Sequence, residues 1–186
     1  MCKIHYRLLA VLLGGLLLGA CQSGPVNKET SLTYNIPAGS TVTLHAPISI
    51  PAGSATIYIQ GGEVKPFRDI RRYHAHCSLE VKTLHESVQV IKPDVFTIHR
   101  SYFNEYSAAP ATPFVHTRRI ARDDSDGGML LQMQRVMYLH STQQPDVFRL
   151  TCLQWAYTPD YEHLSVAEVR QALGKLMTLQ LATDTI

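Results

Sequence analysis

An uncharged apolar run occupies residues 8–20, close to the start of the chain. A helix needs about 20 consecutive apolar residues to cross the hydrocarbon core of a bilayer, so this run is too short for a transmembrane helix. Lys3 and Arg7 precede the run, and small residues end it. A helix that packs on a protein core has polar residues on its solvent-facing side, and this run contains none. This arrangement is typical of a signal peptide, and we predict that residues 1–20 direct export and are then removed.

The last four residues of this segment, Leu18-Gly19-Ala20-Cys21, resemble the lipobox of bacterial lipoprotein precursors. The resemblance implies that Cys21 is lipidated, with acyl chains such as palmitate, and that this lipid attaches the mature protein to a membrane. Position 22 is Gln. In sorted lipoproteins of Gram-negative bacteria an Asp there tends to hold the protein in the inner membrane. The resemblance therefore favours the outer membrane of the cell envelope, with the domain facing the periplasm.

Removal of residues 1–20 also changes the charge of the chain, which has 186 residues, 17 of them basic and 15 acidic. The removed segment contains Lys3 and Arg7 and no acidic residue, so the mature chain is formally neutral. Nucleic-acid binding usually needs a concentrated basic face, and we predict no nucleic-acid partner. The remaining length suits one domain with its own core. We predict a lipidated Cys and polar tether over residues 21–31 and a single β-rich periplasmic domain over residues 32–186.

Strand patterns dominate this domain. Ile36-Pro-Ala-Gly-Ser40 recurs as Ile50-Pro-Ala-Gly-Ser54, and each copy precedes a β-like run, which favours two type I turns that lead into strands. Apolar and polar residues alternate from residue 76 to residue 81, as in a half-buried strand. Residues 114–122 and 129–140 are separated by Asp, Ser and Gly residues and predict a hairpin. Residues 147–157 predict a last long strand.

One helix is predicted near the end of the chain. Ser165 suits the N-cap and Glu168 follows three residues later, which is the pattern of a capping box. Apolar residues then recur at helical spacing as far as Met177, although Gly174 disfavours the last turn, and the tail from Met177 to Ala182 also suits a final short strand. Because the strands follow one another without intervening helices, the sheet is expected to be mainly antiparallel. The predicted fold class is mainly β, an antiparallel sandwich or small barrel with one C-terminal helix.

Two segments of the domain carry a further resemblance. Residues 73–81 read Tyr-x-x-x-Cys-x-Leu-Glu-Val, and residues 151–155 read Thr-Cys-Leu-x-Trp. Together they are similar to uncharacterised exported lipoproteins of Gram-negative bacteria. This resemblance implies neither an activity nor a set of catalytic residues.

The four cysteines divide by position. Cys2 is removed with the signal peptide and Cys21 receives the lipid, which leaves Cys77 and Cys152. Exported proteins fold in an oxidising compartment where two remaining thiols usually pair. We predict a Cys77–Cys152 disulfide, and the alternative is two separate buried thiols.

His74 and His76 are the candidate metal ligands. On an extended strand, residues two apart point to the same face, so both exposed imidazoles could hold one Cu²⁺ or Zn²⁺ ion. A stable site needs a third and usually a fourth ligand, and no local pairing among the other histidines supplies one. We therefore predict no metal and no other cofactor. Two surface histidines leading into a strand are the favoured interpretation.

Three other patterns have structural interpretations that we favour over a ligand site. The thioether sulfurs of Met129, Met133 and Met137 could bind Cu(I). Methionine also fills irregular cores, and we favour core packing, on a strand face that these residues would share with Arg135. Asp124-Ser-Asp126-Gly127 resembles part of a calcium loop but lacks its late Glu, which favours a solvated hairpin tip. The cluster of Arg118, Arg119 and Arg122 favours a solvated strand edge over an anion site.

These patterns predict a function without catalysis. The sequence contains no Gly-x-Ser-x-Gly elbow, and the paired cysteines would leave no thiol nucleophile in the domain. We expect a lipid-anchored cell-envelope lipoprotein that is a non-catalytic binding or structural module and not an enzyme, with an envelope protein as partner. The alternative is a periplasmic metal-binding lipoprotein that uses His74 and His76.

Overall fold

The computed structural model shows a curled antiparallel sheet that forms a half-barrel, with one helix near the C-terminus of the chain. The structure describes residues 27–107, 130–157 and 162–182. The mainly β fold class predicted from the sequence is confirmed. The elements of the described residues are strands β1 to β10 and one α-helix, α1, in the order β1 Thr41–Leu44, β2 Ile48–Ile50, β3 Thr56–Gln60, β4 Glu63–Lys65, β5 His76–Val81, β6 Gln89–Ile91, β7 Asp94–Ser107, β8 Leu130–His140, β9 Val147–Tyr157, α1 Val166–Leu173 and β10 Met177–Gln180.

Eight of these strands form the main sheet, in the order β10-β1-β7-β8-β9-β5-β3-β4. Strands β2 and β6 form a separate two-stranded sheet. Every neighbouring pair is antiparallel, as the absence of crossover helices predicts. Strands such as β1 and β3 alternate, with one face toward the core and the other outward, whereas β5 is buried on both faces from His76 to Leu79.

The repeated Pro-Ala-Gly segments do form turns, but not type I turns. Ser40 N donates to Pro37 O over 3.2 Å, and Ser54 N donates to Pro51 O over 3.1 Å. The third residue of each turn is a glycine with positive φ, 86° at Gly39 and 72° at Gly53. Positive φ at this position defines a type II turn, which glycine adopts without a steric penalty.

The sequence predicted that residues 129–140 pair in a hairpin with residues 114–122. The structure contradicts this partner for β8, the strand of this pair that it describes. Strand β8 pairs on one side with β7, from Thr97↔His140 to Ser107↔Leu131. On its other side it pairs with β9, from Leu130↔Tyr157 to Tyr138↔Arg149. Both edges of β8 are therefore occupied by strands other than the predicted partner. Residues 114–122 and Met129 lie outside the described residues.

The capping box of α1 is present as predicted. Ser165 N donates to Glu168 Oε2 over 2.8 Å, and Glu168 N donates to Ser165 Oγ over 3.3 Å. The helix ends at Leu173 rather than at Met177, because Gly174 has a φ of 53° that breaks the helical backbone, and Met177 begins β10 instead. Within the part of the chain described by the structure, no helix combines the length and the apolar character needed to cross a bilayer.

The end of α1 lies against the turn between β3 and β4. Gly62 N donates to Ala172 O over 3.0 Å. A Cβ atom on Gly174 would come within 2.6 Å of the Gly62 Cα atom, so neither position has room for a side chain. This contact joins the helix to the edge of the sheet, next to the surface described below.

Cys77 and Cys152 lie opposite each other on β5 and β9, in direct register. Their Sγ atoms are 2.10 Å apart, their Cα atoms are 3.9 Å apart, and both side chains are fully buried. The structure thus places the predicted disulfide pair at bonding distance. Both cysteines point into the core.

Part of the predicted tether contacts the domain. Ala167 N, in the first turn of α1, donates to Glu29 O over 2.9 Å, and the Glu29 carboxylate forms an ion pair with Arg170. Glu29, within the predicted tether, therefore lies against the helix. Cys21 lies outside the described residues.

Candidate interaction surface

Five aromatic rings and one guanidinium group follow one another across the outer face of the sheet, at its β9–β5–β3–β4 end. We call this set the aromatic strip; its members are Tyr58, Phe67, Arg72, Tyr73, Trp155 and Tyr157. Three of its rings are largely exposed, with exposed fractions of 45% at Phe67, 54% at Tyr73 and 52% at Tyr157. Large exposed rings on a sheet face are unusual enough to indicate a contact surface.

Consecutive members of the strip are in contact. Tyr58 and Phe67 have ring centroids 4.9 Å apart. The Arg72 guanidinium carbon lies 4.8 Å from the Phe67 ring centroid and 4.8 Å from that of Trp155. Tyr73 meets Trp155 edge to face at 6.3 Å. These are the separations at which rings and cations attract one another beyond simple burial.

The exposed end of the strip is formed by two tyrosines. The rings of Tyr73 and Tyr157 stack with centroids 6.0 Å apart, and their hydroxyl oxygens are 3.3 Å apart. This hydrogen bond, followed by partial desolvation, raises the pKa of the Tyr73 hydroxyl above its ordinary value. The Tyr73 phenol therefore stays neutral and available as a hydrogen-bond partner at physiological pH.

The backbone of residues 66–75 holds half of the strip in place. A short 3₁₀ turn, Phe67–Asp69, follows Pro66, whose fixed φ suits a turn entry. The Gln60 side chain then clamps Arg71, since Oε1 accepts from Arg71 N and Nε2 donates to Arg71 O, both over 3.0 Å. Trp155 N donates to Arg72 O over 2.9 Å and ties the segment to β9. The strip is thus preorganised.

A polar cleft adjoins the strip, between this segment and α1. Its volume is about 450 Å³, and it shares Tyr73 with the strip. The residues that line it are mostly polar or charged: Gln60, Gly61, Lys65, Arg71, Tyr73, His74, Ala75, Gln154, Glu168, Gln171 and Ala172. Its one acid, Glu168, is already engaged in the capping box of α1.

The structure separates the two candidate metal ligands. His74 is exposed, but His76 is only 1% exposed, so the prediction of two exposed imidazoles is wrong for His76. Its Nδ1 lies 2.9 Å from His74 O, and burial, with a smaller effect of the Arg72 charge, lowers the pKa of His76. No group of three or more His, Cys, Asp or Glu side chains with metal-site geometry exists among the described residues.

The methionines that the structure describes belong to the buried face of β8. Met133 and Met137 are fully buried, as is Arg135 between them. This is the shared face predicted from the alternation. Cys21, Arg118, Arg119, Arg122 and the Asp124-Ser-Asp126 segment lie outside the described residues.

Arg135 has a role that the sequence did not indicate. Its Nη1 donates to Tyr34 O over 2.7 Å, and its Nε and Nη2 both donate to Leu164 O. The guanidinium carbon also lies 4.3 Å from the Phe103 ring centroid. Burial lowers the pKa of Arg135 to about 10, which still leaves it charged at neutral pH. Arg135 is a structural cation that joins three chain segments.

A second polar groove lies elsewhere on the outer face, around Tyr102 and Thr151. Its charges are paired, because Arg149 Nε donates to Glu80 Oε1 over 2.9 Å in a two-point ion pair. The aromatic strip differs, since its central arginine contacts rings rather than a carboxylate. The strip and its cleft are therefore the stronger candidate for a site.

No family model, curated protein or solved structure matches this chain.

Proposed function

We propose that this protein is a lipid-anchored lipoprotein of the cell envelope that acts as a non-catalytic binding module for an envelope protein. The lipid on Cys21 would hold it on the outer membrane with the domain in the periplasm. The lipobox, the short apolar run before it and Gln22 support this placement. The aromatic strip supports the binding role.

The composition of the strip is that of an interface centre. Tyr, Trp and Arg are the residues most enriched among those that dominate binding energy at protein interfaces. Tyr73 and Trp155 carry large rigid contact areas with few rotatable bonds, so little conformational entropy is lost when a partner binds. The backbone bond from Trp155 to Arg72 keeps these groups in place before binding, which lowers the cost of association.

The cysteines support a binding role over catalysis. Cys77 and Cys152 lie at disulfide distance in the core, and a disulfide sulfur in this position is no nucleophile. The buried His76 is not placed to activate a water or a substrate at the surface. The features that remain exposed at the strip are rings and cations, which bind rather than react.

Mass spectrometry tests the anchor. The protein isolated from bacterial membranes should begin at Cys21 with a diacylglyceryl modification, and Cys21→Ser should accumulate as an unprocessed or mislocalised precursor. Wild-type protein that is recovered unmodified and cleaved at another position would overturn the proposed anchoring.

Comparison of matched variants tests the binding surface. Lipidated wild-type protein, Phe67→Ala, Tyr73→Ala and the control Val95→Ala would each be purified from crosslinked envelopes. Val95 is 53% exposed but lies on β7, paired with β1 far from the strip. We expect one discrete protein to be retained by wild type and Val95→Ala and reduced at least about fivefold by the strip variants, since a hot-spot truncation costs more than ~1 kcal/mol. Equal recovery with all four proteins would contradict the proposal.

A further inference from the structure

Residues 63–75, which carry part of the aromatic strip, contain more basic side chains than the nearby carboxylates can pair with. Lys65 pairs with Glu63 over 3.2 Å, and Arg68 lies 3.8 Å from Asp69. Among the described residues, neither Arg71 nor Arg72 has a carboxylate within ion-pair distance. Two adjacent arginines are thus left without counter-charges at the junction of strip and cleft.

Arg72 is held in a geometry suited to binding an anion. Its guanidinium lies between the rings of Phe67 and Trp155, at 4.8 Å from each centroid. A guanidinium group that stacks by its faces keeps its N–H groups for a carboxylate, which it can bind through two parallel hydrogen bonds. Because the stack already fixes the side chain, Arg72 loses little rotamer freedom on binding.

The cleft extends the region around Arg71, one of the two arginines without a counter-charge. Lys65, Arg71 and His74 line it, and the carboxylate of Glu168 accepts hydrogen bonds from Ser165 N over 2.8 Å and Ser165 Oγ over 2.7 Å. The remaining lining residues are three amides, the Tyr73 phenol and small residues. An anionic group that enters the cleft would meet the Arg71 guanidinium and amide side chains.

We propose that the aromatic strip and the adjoining cleft bind an acidic, extended segment of the partner protein, an inference that rests on the binding function proposed above. The charge of the site is complementary to carboxylates, with Arg71 and Arg72 as their binding groups. Consecutive rings of the strip lie 4.9 to 6.3 Å apart where they touch. Every second side chain of an extended peptide lies on the same face, about 6.6–7 Å from the last, so a peptide with acidic and apolar residues at successive same-face positions can place carboxylates on the arginines and apolar groups on the rings. A single phosphate would use only one arginine and none of the rings.

The position of Trp155 makes the proposal directly measurable. It is the single tryptophan of the chain, and it lies within the strip against Arg72. Its fluorescence therefore reports on the proposed site alone. The probe is a short peptide in which glutamate and valine take turns at every second position, with serine between them, so that both residue types lie on the same face of the extended chain. The matched peptide carries lysine in place of glutamate.

We expect the acidic peptide to change the Trp155 emission saturably and the lysine peptide to leave it unchanged. Affinity should fall at least about tenfold between low salt and about 0.5 M salt, because the charges lie at the surface. Arg71→Gln, which leaves the ring stack in place, should weaken binding at least fivefold, and so should Arg72→Gln. The control Arg100→Gln removes an exposed arginine that stacks 5.1 Å from the Tyr102 ring, and should bind like wild type. Thermal unfolding of each variant verifies that it is folded.

Three results would overturn the inference. The first is an equal response to both peptides, and the second is wild-type affinity in both single variants, Arg71→Gln and Arg72→Gln. The third is the same emission change with inorganic phosphate or phosphatidylglycerol vesicles at equal charge concentration. The last result would identify a general anion site instead of a peptide site. Any of these would leave the proposed function standing if Phe67→Ala and Tyr73→Ala still lose the envelope partner. Loss of the acidic specificity and loss of the binding surface are thus measured separately.

Discussion

The guanidinium group of Arg135 donates two hydrogen bonds to the carbonyl oxygen of Leu164, over 3.1 Å from Nε and 2.6 Å from Nη2. Leu164 immediately precedes the N-cap residue of α1, and a third bond from Nη1 reaches Tyr34 O over 2.7 Å. One buried side chain on β8 thereby fixes both the start of the helix and the N-terminal segment. Its position explains why a cation is tolerated among methionines.

Arg135→Met should lower the free energy of unfolding by about 1–3 kcal/mol. It preserves most of the side-chain volume but leaves Leu164 O and Tyr34 O without donors, and an unsatisfied buried acceptor costs about 1–3 kcal/mol. Removal of a desolvated charge offsets part of this loss. Arg135→Ala adds a cavity and should be more destabilising. Urea unfolding of both variants, with the exposed Arg100→Met as control, measures these changes in unfolding free energy. If Arg135→Met is as stable as wild type, the three hydrogen bonds of Arg135 make no net contribution to stability.

The cysteine pair should account for a large share of the stability. Cys77 and Cys152 are 75 residues apart in sequence, and closing a loop of that length stabilises the fold by about 4–4.5 kcal/mol in the chain-entropy model. Cys77→Ser with Cys152→Ser should therefore lower the unfolding free energy by up to about that amount, and reduced wild type should match this double variant. Denatured, unreduced protein should show no reactive thiol from either cysteine. Two titratable thiols besides Cys21 would disprove the bond.

Buried His76 should make the protein less stable in mild acid. Burial lowers its pKa in the folded state, so below the ordinary value of 6.5 the unfolded chain binds the proton more readily. This contribution to stability is fully present above pH 6.5 and is lost as the pH falls toward the folded-state pKa. His76→Asn keeps a donor near His74 O but does not titrate. Melting temperatures of the two proteins should diverge less at pH 5 than at pH 7.5; a constant difference across this range would contradict the assignment.

Local sequence signals predicted the elements that depend on local chemistry. The capping box at Ser165 and Glu168 and the strand Val147–Tyr157 are found where the sequence placed them. The neighbours of β8 were mispredicted, because turn-like residues after residue 122 suggested a local hairpin while the real partners come from β7 and β9. Strand order depends on contacts between distant residues, which periodicity does not encode.

The strip and Arg135 show the same limit. Phe67, Tyr73 and Trp155 belong to separate stretches of the chain, so no local motif predicted that their rings would meet. The burial of Arg135 depends on carbonyl groups of Tyr34 and Leu164, 101 and 29 residues away in sequence. Only the alternation on β8, which placed Arg135 on the inward face, pointed toward this result.

Site-specific photo-crosslinking in living cells tests the central claim most directly. A photoreactive amino acid would replace exposed Tyr73 in the strip or, as the matched control, exposed Val95 at the far end of β7. If the strip is the partner-binding surface of a lipid-anchored envelope module, irradiation should yield one defined adduct with an envelope protein from position 73, none from position 95, and none from position 73 when Cys21→Ser prevents anchoring. Equal adducts from both positions, or none from position 73 in the anchored protein, would contradict it.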